Sequence, residues 1–196
     1  MTEEQRAGLG VALNEATLLG VELDPSRRIA GATFWVLTLP ESGPEPEDCR
    51  AQILFHPVGR IAASLRNGRW DDPDAEVVPF GVEELLSTVQ SFGGLPIYGW
   101  EYIDLHEKRL EQWGDRLSLD WRSGNDGVSH SIALFQDSGD RILDLCIWFD
   151  ELQIRDPAGN GIPVESFIAG GERWWDAFYA GDERTQGHGM APLKGP

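Results

Sequence analysis

Hydrophobic positions along most of this chain repeat every second residue, the period of a β-strand with one buried face. TLLGVEL (17–23) reads as a strand. GATFWVLTL (31–39) is apolar on both faces, Phe34 and Val36 against Trp35, Leu37 and Leu39, which suits a strand in the middle of a covered sheet. CRAQILFH (49–56) and GRIAASLR (59–66) read as a hairpin hinged at Pro57. DRLSLDWR (115–122), VSHSIALFQ (128–136), RILDLCIWF (141–149) and ELQIRD (151–156) supply further strands. Three segments follow a helical period instead. Residues 3–16 form the first, weakened by Gly8 and Gly10. Residues 80–92 place Val82, Leu85, Leu86 and Val89 on one stripe and stop at Gly93-Gly94. The third starts at Pro163 and puts Val164, Phe167, Ile168, Trp175 and Phe178 on one face, with Gly170-Gly171 as a kink or split. PESGPEPED (40–48) is a loop, because its prolines remove backbone donors.

The order of elements predicts an α+β fold: antiparallel sheet from two similar β-rich halves, about 17–92 and 115–178, each closed by a helix packed on the sheet. CRAQILFHPVGRIAASLRNG and RILDLCIWFDELQIRDPAGN share a pattern of strand, break, strand and turn, which suggests an internal duplication. Residues 1–179 are expected to form a single globular domain, with 180–196 as a flexible C-terminal tail.

Between the halves runs LPIYGWEYIDLHE (95–107). As a strand it would align Tyr98, Trp100, Tyr102, Asp104 and His106 on one face. Two readings compete. The rings line a ligand pocket ending in an Asp/His acid–base pair, or they bury a sheet face with polar groups at its rim. The wide spacing of alternate strand residues and the lack of a nucleophile motif favour the second.

Charge adds the strongest global constraint. Thirty-three acidic residues oppose 16 basic ones, for a net charge of −17. Such a surface repels phosphate backbones and anionic lipids, so no nucleic-acid or membrane partner is expected. It favours encounter with a basic protein. The densest acidic stretch is WDDPDAE (70–76). Its Asp71, Asp72, Asp74 and Glu76 lack calcium-loop spacing, and Trp70 beside them would suit an interface anchor if it is exposed.

Other chemistry is sparse. No Gly-rich phosphate loop, nucleophile elbow or zinc spacing is present, so neither cofactor nor metal is expected. RDPAGN (155–160) resembles the C-terminal turn of the vicinal-oxygen-chelate family. That family's acidic ligand would follow within two or three residues, and here no acid comes before Glu165, so no site residue follows from the likeness. His130 shares a strand face with Val128, Ile132 and Leu134. Asp144, inside a strand, needs a partner, and Arg141, Arg155 or Arg50 could supply it. Cys49 and Cys146 read as reduced, buried thiols. There is no apolar run of membrane-spanning length and no secretory leader pattern, which gives a cytoplasmic expectation.

The sequence thus points to a non-enzymatic acidic protein, of inhibitor, immunity or adaptor type, that binds a basic protein partner through Trp70, Asp71, Asp72, Asp74 and Glu76. The alternative is a small-ligand protein or enzyme using Tyr98, Trp100, Tyr102, Asp104 and His106.

Overall fold

The computed structural model describes residues 1–99, 101–105, 114–124 and 127–190. Its elements run α1 (Glu3–Leu13), β1 (Thr17–Asp24), β2 (Ile29–Trp35), β3 (Arg50–Asn67), β4 (Glu76–Val77), a 3₁₀ turn (Val82–Glu84) leading into α2 (Leu85–Gln90), β5 (Leu119–Arg122), β6 (His130–Asp137), β7 (Arg141–Arg155), β8 (Gly161–Ile162) and α3 (Val164–Ala180). The fold is α+β, and every strand pairing among the described residues is antiparallel.

The sheet is organised on β3 and β7. Their register runs from Gln52 opposite Arg155 to Asn67 opposite Arg141. The other margin of β3 is shared by β2 at its start, β5 in the middle and β4 at its end. The other margin of β7 takes β6 and then β8. The expected hairpin at Pro57 is therefore corrected to one strand of 18 residues. The His56–Pro57 peptide is cis, and the register shifts between Val58 and Arg60. A bulge absorbs the missing proline donor without turning the chain. Likewise, 141–149 and 151–156 are one strand, Arg141–Arg155, because the ladder with β3 carries on through this point, with Phe149 opposite Val58, Glu151 opposite His56 and Leu152 opposite Phe55. The duplication is not confirmed: β3 and β7 are partners in one sheet, and α2 has 6 residues against 17 for α3.

The helices are explained by close approach. Thr2 and Gln5 form a capping box that starts α1. Gly8 then makes room for Ile168: a Cβ there would sit 2.5 Å from Ile168 Cγ2. A Cβ on Gly171 would sit 2.6 Å from Ala12 Cα, and one on Gly170 would sit 2.4 Å from Thr38 Oγ1. The expected kink at Gly170-Gly171 is thus absent, and α3 runs unbroken for 17 residues. Those glycines serve packing, not bending.

The main core lies between the inner face of the sheet and α1, α2 and α3. It gathers Leu9, Leu13, Phe34, Phe55, Ile61, Leu85, Val89, Ile147, Phe149 and Phe167. A second cluster joins Leu37 and Leu39, beyond β2, to Trp174, Trp175 and Phe178 of α3. The reverse face of the sheet carries a small group, Ala62 and Cys146 with Leu117, Ala133 and Trp148 against them. Trp35 is 37% exposed, so β2 is covered on one side only there, not on both.

LPIYGWEYIDLHE is not a strand among its described residues. It makes two isolated bridges, Thr17 with Pro96 and Ile103 with Ile132. Leu18 N donates to Leu95 O and Ile97 N to Ala16 O, at β1. Ala133 N donates to Tyr102 O and Asp104 N to Ser131 O, at β6. The segment therefore straps one outer margin of the sheet to the other. Gly99, with φ +138°, interrupts the pleat between the two contacts.

Beyond α3, a 3₁₀ turn spans Glu183–Thr185, and Thr185 is buried. Residues 191–196 of the expected tail lie outside the described residues.

Candidate functional site

The acidic stretch becomes a defined loop. β3 ends at Asn67, and Gly68 turns the chain at φ +142°, where a Cβ would meet that of Ala75 at 2.9 Å. Gly68 N donates to Asp140 O at 2.7 Å, which ties the loop to the β6–β7 turn. Inside it, Asp72 N donates to Arg69 O, and Asp72 Oδ1 accepts from Asp74 N at 2.9 Å. Arg116 Nη2 donates to Pro73 O. Ala75 is the buried anchor, 7% exposed, and Trp70 points outward, 65% exposed.

Around that indole, Asp71, Asp72, Asp74 and Glu76 are all exposed. Asp71 is partly neutralised by Arg69 at 3.2 Å, and Glu76 accepts a hydrogen bond from the Asn67 amide at 3.4 Å. The loop presents a flat ring flanked by carboxylates. A guanidinium or ammonium group could stack on the ring and donate charge-assisted hydrogen bonds to the acids. No group of three or more metal-binding side chains occurs among the described residues.

The described members of the central stretch, Tyr98, Tyr102 and Asp104, do not assemble into one wall. Tyr98 is 50% exposed and Tyr102 is 2% exposed, its hydroxyl donating to Ile97 O at 3.4 Å. Burial, with Glu15 nearby, pushes the Tyr102 phenol well above its ordinary value, so it is no acid–base group near neutrality. Trp100 and His106 lie outside the described residues. Asp104 pairs with an imidazole the sequence did not indicate. His130 Nδ1 lies 2.9 Å from Asp104 Oδ2, Arg6 Nη1 donates to the same oxygen at 3.3 Å, and Ser131 N donates to Oδ1 at 2.8 Å. Asp104 sits at φ +54°, a left-handed conformation that Asp tolerates better than most residues. One carboxylate therefore ties α1, the strap and β6 together.

Comparison of the chain with family models, curated proteins and solved structures finds no match. Function must be read from the sites alone.

Two further groups lie away from these sites, and the first has a partner other than those expected. Asp144 pairs with Arg66, Nη2 to Oδ2 at 2.7 Å, a partner the sequence did not indicate. Arg66 lies two residues beyond Ser64, directly across the ladder from Asp144, so their side chains meet diagonally on one face. RDPAGN is an Asx-type turn: Asp156 accepts from Asn160 N at 2.8 Å and from Asn160 Nδ2 at 2.9 Å. Beside it, an open groove of about 390 Å³ is lined by Leu152, Ile154, Ile162 and Val164, and it contains none of the predicted site residues.

Proposed function

We infer that this protein is a non-enzymatic, acidic, cytoplasmic binding protein, of inhibitor, immunity or adaptor type, whose 69–76 loop engages a basic protein partner. The observation that carries this reading is Trp70, 65% exposed on a pinned loop among four exposed carboxylates. An isolated hydrophobe on a surface needs no special account, but an indole held outward by a buried alanine and several backbone bonds has the form of an interface anchor. The net charge of −17 would raise the encounter rate with a cation-rich surface. No helix among the described residues is long and apolar enough to cross a membrane.

The test is capture of partners from native extract at low and high salt, followed by measured affinity for the captured protein. Trp70→Ala is expected to weaken binding at least ten-fold, as truncation of a central aromatic does. Asp71→Asn with Asp74→Asn should slow association and flatten its salt dependence. Unchanged affinity in Trp70→Ala would refute the assignment.

The second reading, a small-ligand protein or enzyme with an Asp/His pair, draws on the Asp104–His130 contact. An imidazole oriented by a carboxylate is a competent general base in form. Against it, Tyr98 and Tyr102 face opposite environments and so wall no common pocket.

A further inference from the structure

The chain holds two Asn-Gly pairs within its described residues, Asn67-Gly68 and Asn160-Gly161. Such a pair is chemically labile, because glycine leaves its backbone nitrogen unshielded toward the preceding side-chain amide. The fold treats the two pairs differently. Asn67 is held at the end of β3 between Glu76 of β4 and Arg141 of β7. Gly68 N donates to Asp140 O at 2.7 Å, so the nitrogen is engaged and the peptide is pinned.

Asn160 and Gly161 are both exposed, and apart from its chain neighbours no atom lies within 4 Å of where a Gly161 Cβ would stand. Asp156 N donates to Asn160 O at 2.9 Å. Bonded and unbonded pairs alternate along an antiparallel ladder. The next pair, Arg155 with Gly161, therefore exchanges no bonds, and the Gly161 N–H faces away from β7. Restraint on the Asn160 side chain comes from Asp156, whose Oδ2 accepts from Nδ2 at 2.9 Å in a solvent-exposed bond.

We propose that Asn160 is a self-modification site, restrained by Asp156, while Asn67 is spared. Gly161 N bonds to Asn160 Cγ, and the amide nitrogen leaves as ammonia with the proton that Gly161 N loses. One water molecule then opens the resulting succinimide at either carbonyl, giving Asp or an isoaspartyl linkage at position 160. Either product sets a new carboxylate against Asp156. The bonds from Asn160 hold the Asp156 carboxyl below its ordinary value, so it is ionised near neutrality and repels that newcomer. The isoaspartyl form also lengthens the main chain by one carbon just ahead of β8. The turn that seats β8 and the start of α3 would loosen.

The test is to incubate the full chain in mildly alkaline buffer, digest it, and follow the gain of one mass unit at each asparagine by mass spectrometry. In the tryptic fragment 156–173, Asn160 is the single amide side chain. Asn160 should convert at least about five-fold faster than Asn67, the factor that one hydrogen bond of ordinary net strength is worth. In denaturant the two should convert at similar rates. Asp156→Ala should speed conversion of Asn160 by about the same factor and leave Asn67 unchanged. Equal rates in the folded chain, faster conversion of Asn67, selectivity that persists in denaturant, or no acceleration in Asp156→Ala would each overturn the proposal. If Asp156→Ala disorders the turn, the comparison of Asn160 with Asn67 in the native chain decides alone.

Discussion

Replacing Asp104 by Ala tests whether one carboxylate holds the strap in place. The side chain is 24% exposed, so its bonds are only partly screened. The hydrogen bonds from Ser131 N and His130 Nδ1 are charge-assisted and contribute about 1.5 kcal/mol each at the lower end of the range for such groups. The more exposed Arg6 contact adds about 0.5 kcal/mol. Alanine at φ +54° adds about 1 kcal/mol of backbone strain that Asp tolerates better. The expected loss is roughly 4.5 kcal/mol, a large part of the stability of a typical domain. With a urea m-value of about 2–3 kcal/mol/M, the unfolding midpoint should drop by about 1.5 M. Asp104→Asn accepts the same backbone and can still receive Ser131 N–H, so it should lose about half as much. A double-mutant cycle with His130→Ala should show a coupling of about 1.5 kcal/mol. A loss below 1 kcal/mol in Asp104→Ala, measured by urea unfolding, would mean that apolar burial of Ile97, Tyr102 and Ile103 seats the strap without the carboxylate.

Gly171→Ala should destabilise by about 1–3 kcal/mol, since the new methyl would meet Ala12 Cα at 2.6 Å and must push α1 from α3; helix propensity alone predicts a gain of about 1 kcal/mol, so the sign of the change in thermal unfolding separates the two. Burial pushes the Cys146 thiol up to about 12 and the Cys49 thiol up to about 11. At pH 8 both should therefore react slowly with a thiol reagent in the folded protein and rapidly in denaturant, and fast labelling of the native chain would contradict their burial. Arg66→Ala removes the guanidinium that Asp144 meets at 2.7 Å on a sheltered sheet face and should cost about 3 kcal/mol by urea unfolding; a change below 1 kcal/mol would show that water replaces it there.

The strands and the faces of the helices could be read from periodicity because burial is local to each residue. Leu85 and Val89 are buried as their stripe implies, and β1 spans 17–24 against an expected 17–23. Errors arose where a residue's role depended on a distant neighbour. Pro57 looks like a hinge until β7 is alongside to hold the bulged strand straight. Gly8, Gly170 and Gly171 look like helix breakers until the α1–α3 crossing and Thr38 require them. The acidic loop with Trp70 could be read as one site because its members are adjacent in sequence. The Asp104–His130 pair could not, because 26 residues separate the partners and only the strap's return to β6 brings them together.

The long pairing of β3 with β7 has a consequence for how the polypeptide matures. Residues 50–67 emerge from the ribosome some ninety positions before 141–155 can meet them, so the central ladder must close a large loop. A nascent or truncated chain ending before Arg141 would leave a whole margin of β3 open, a template for pairing with other chains. Synthesis must pass residue 155 before this protein is protected from aggregation by its own architecture.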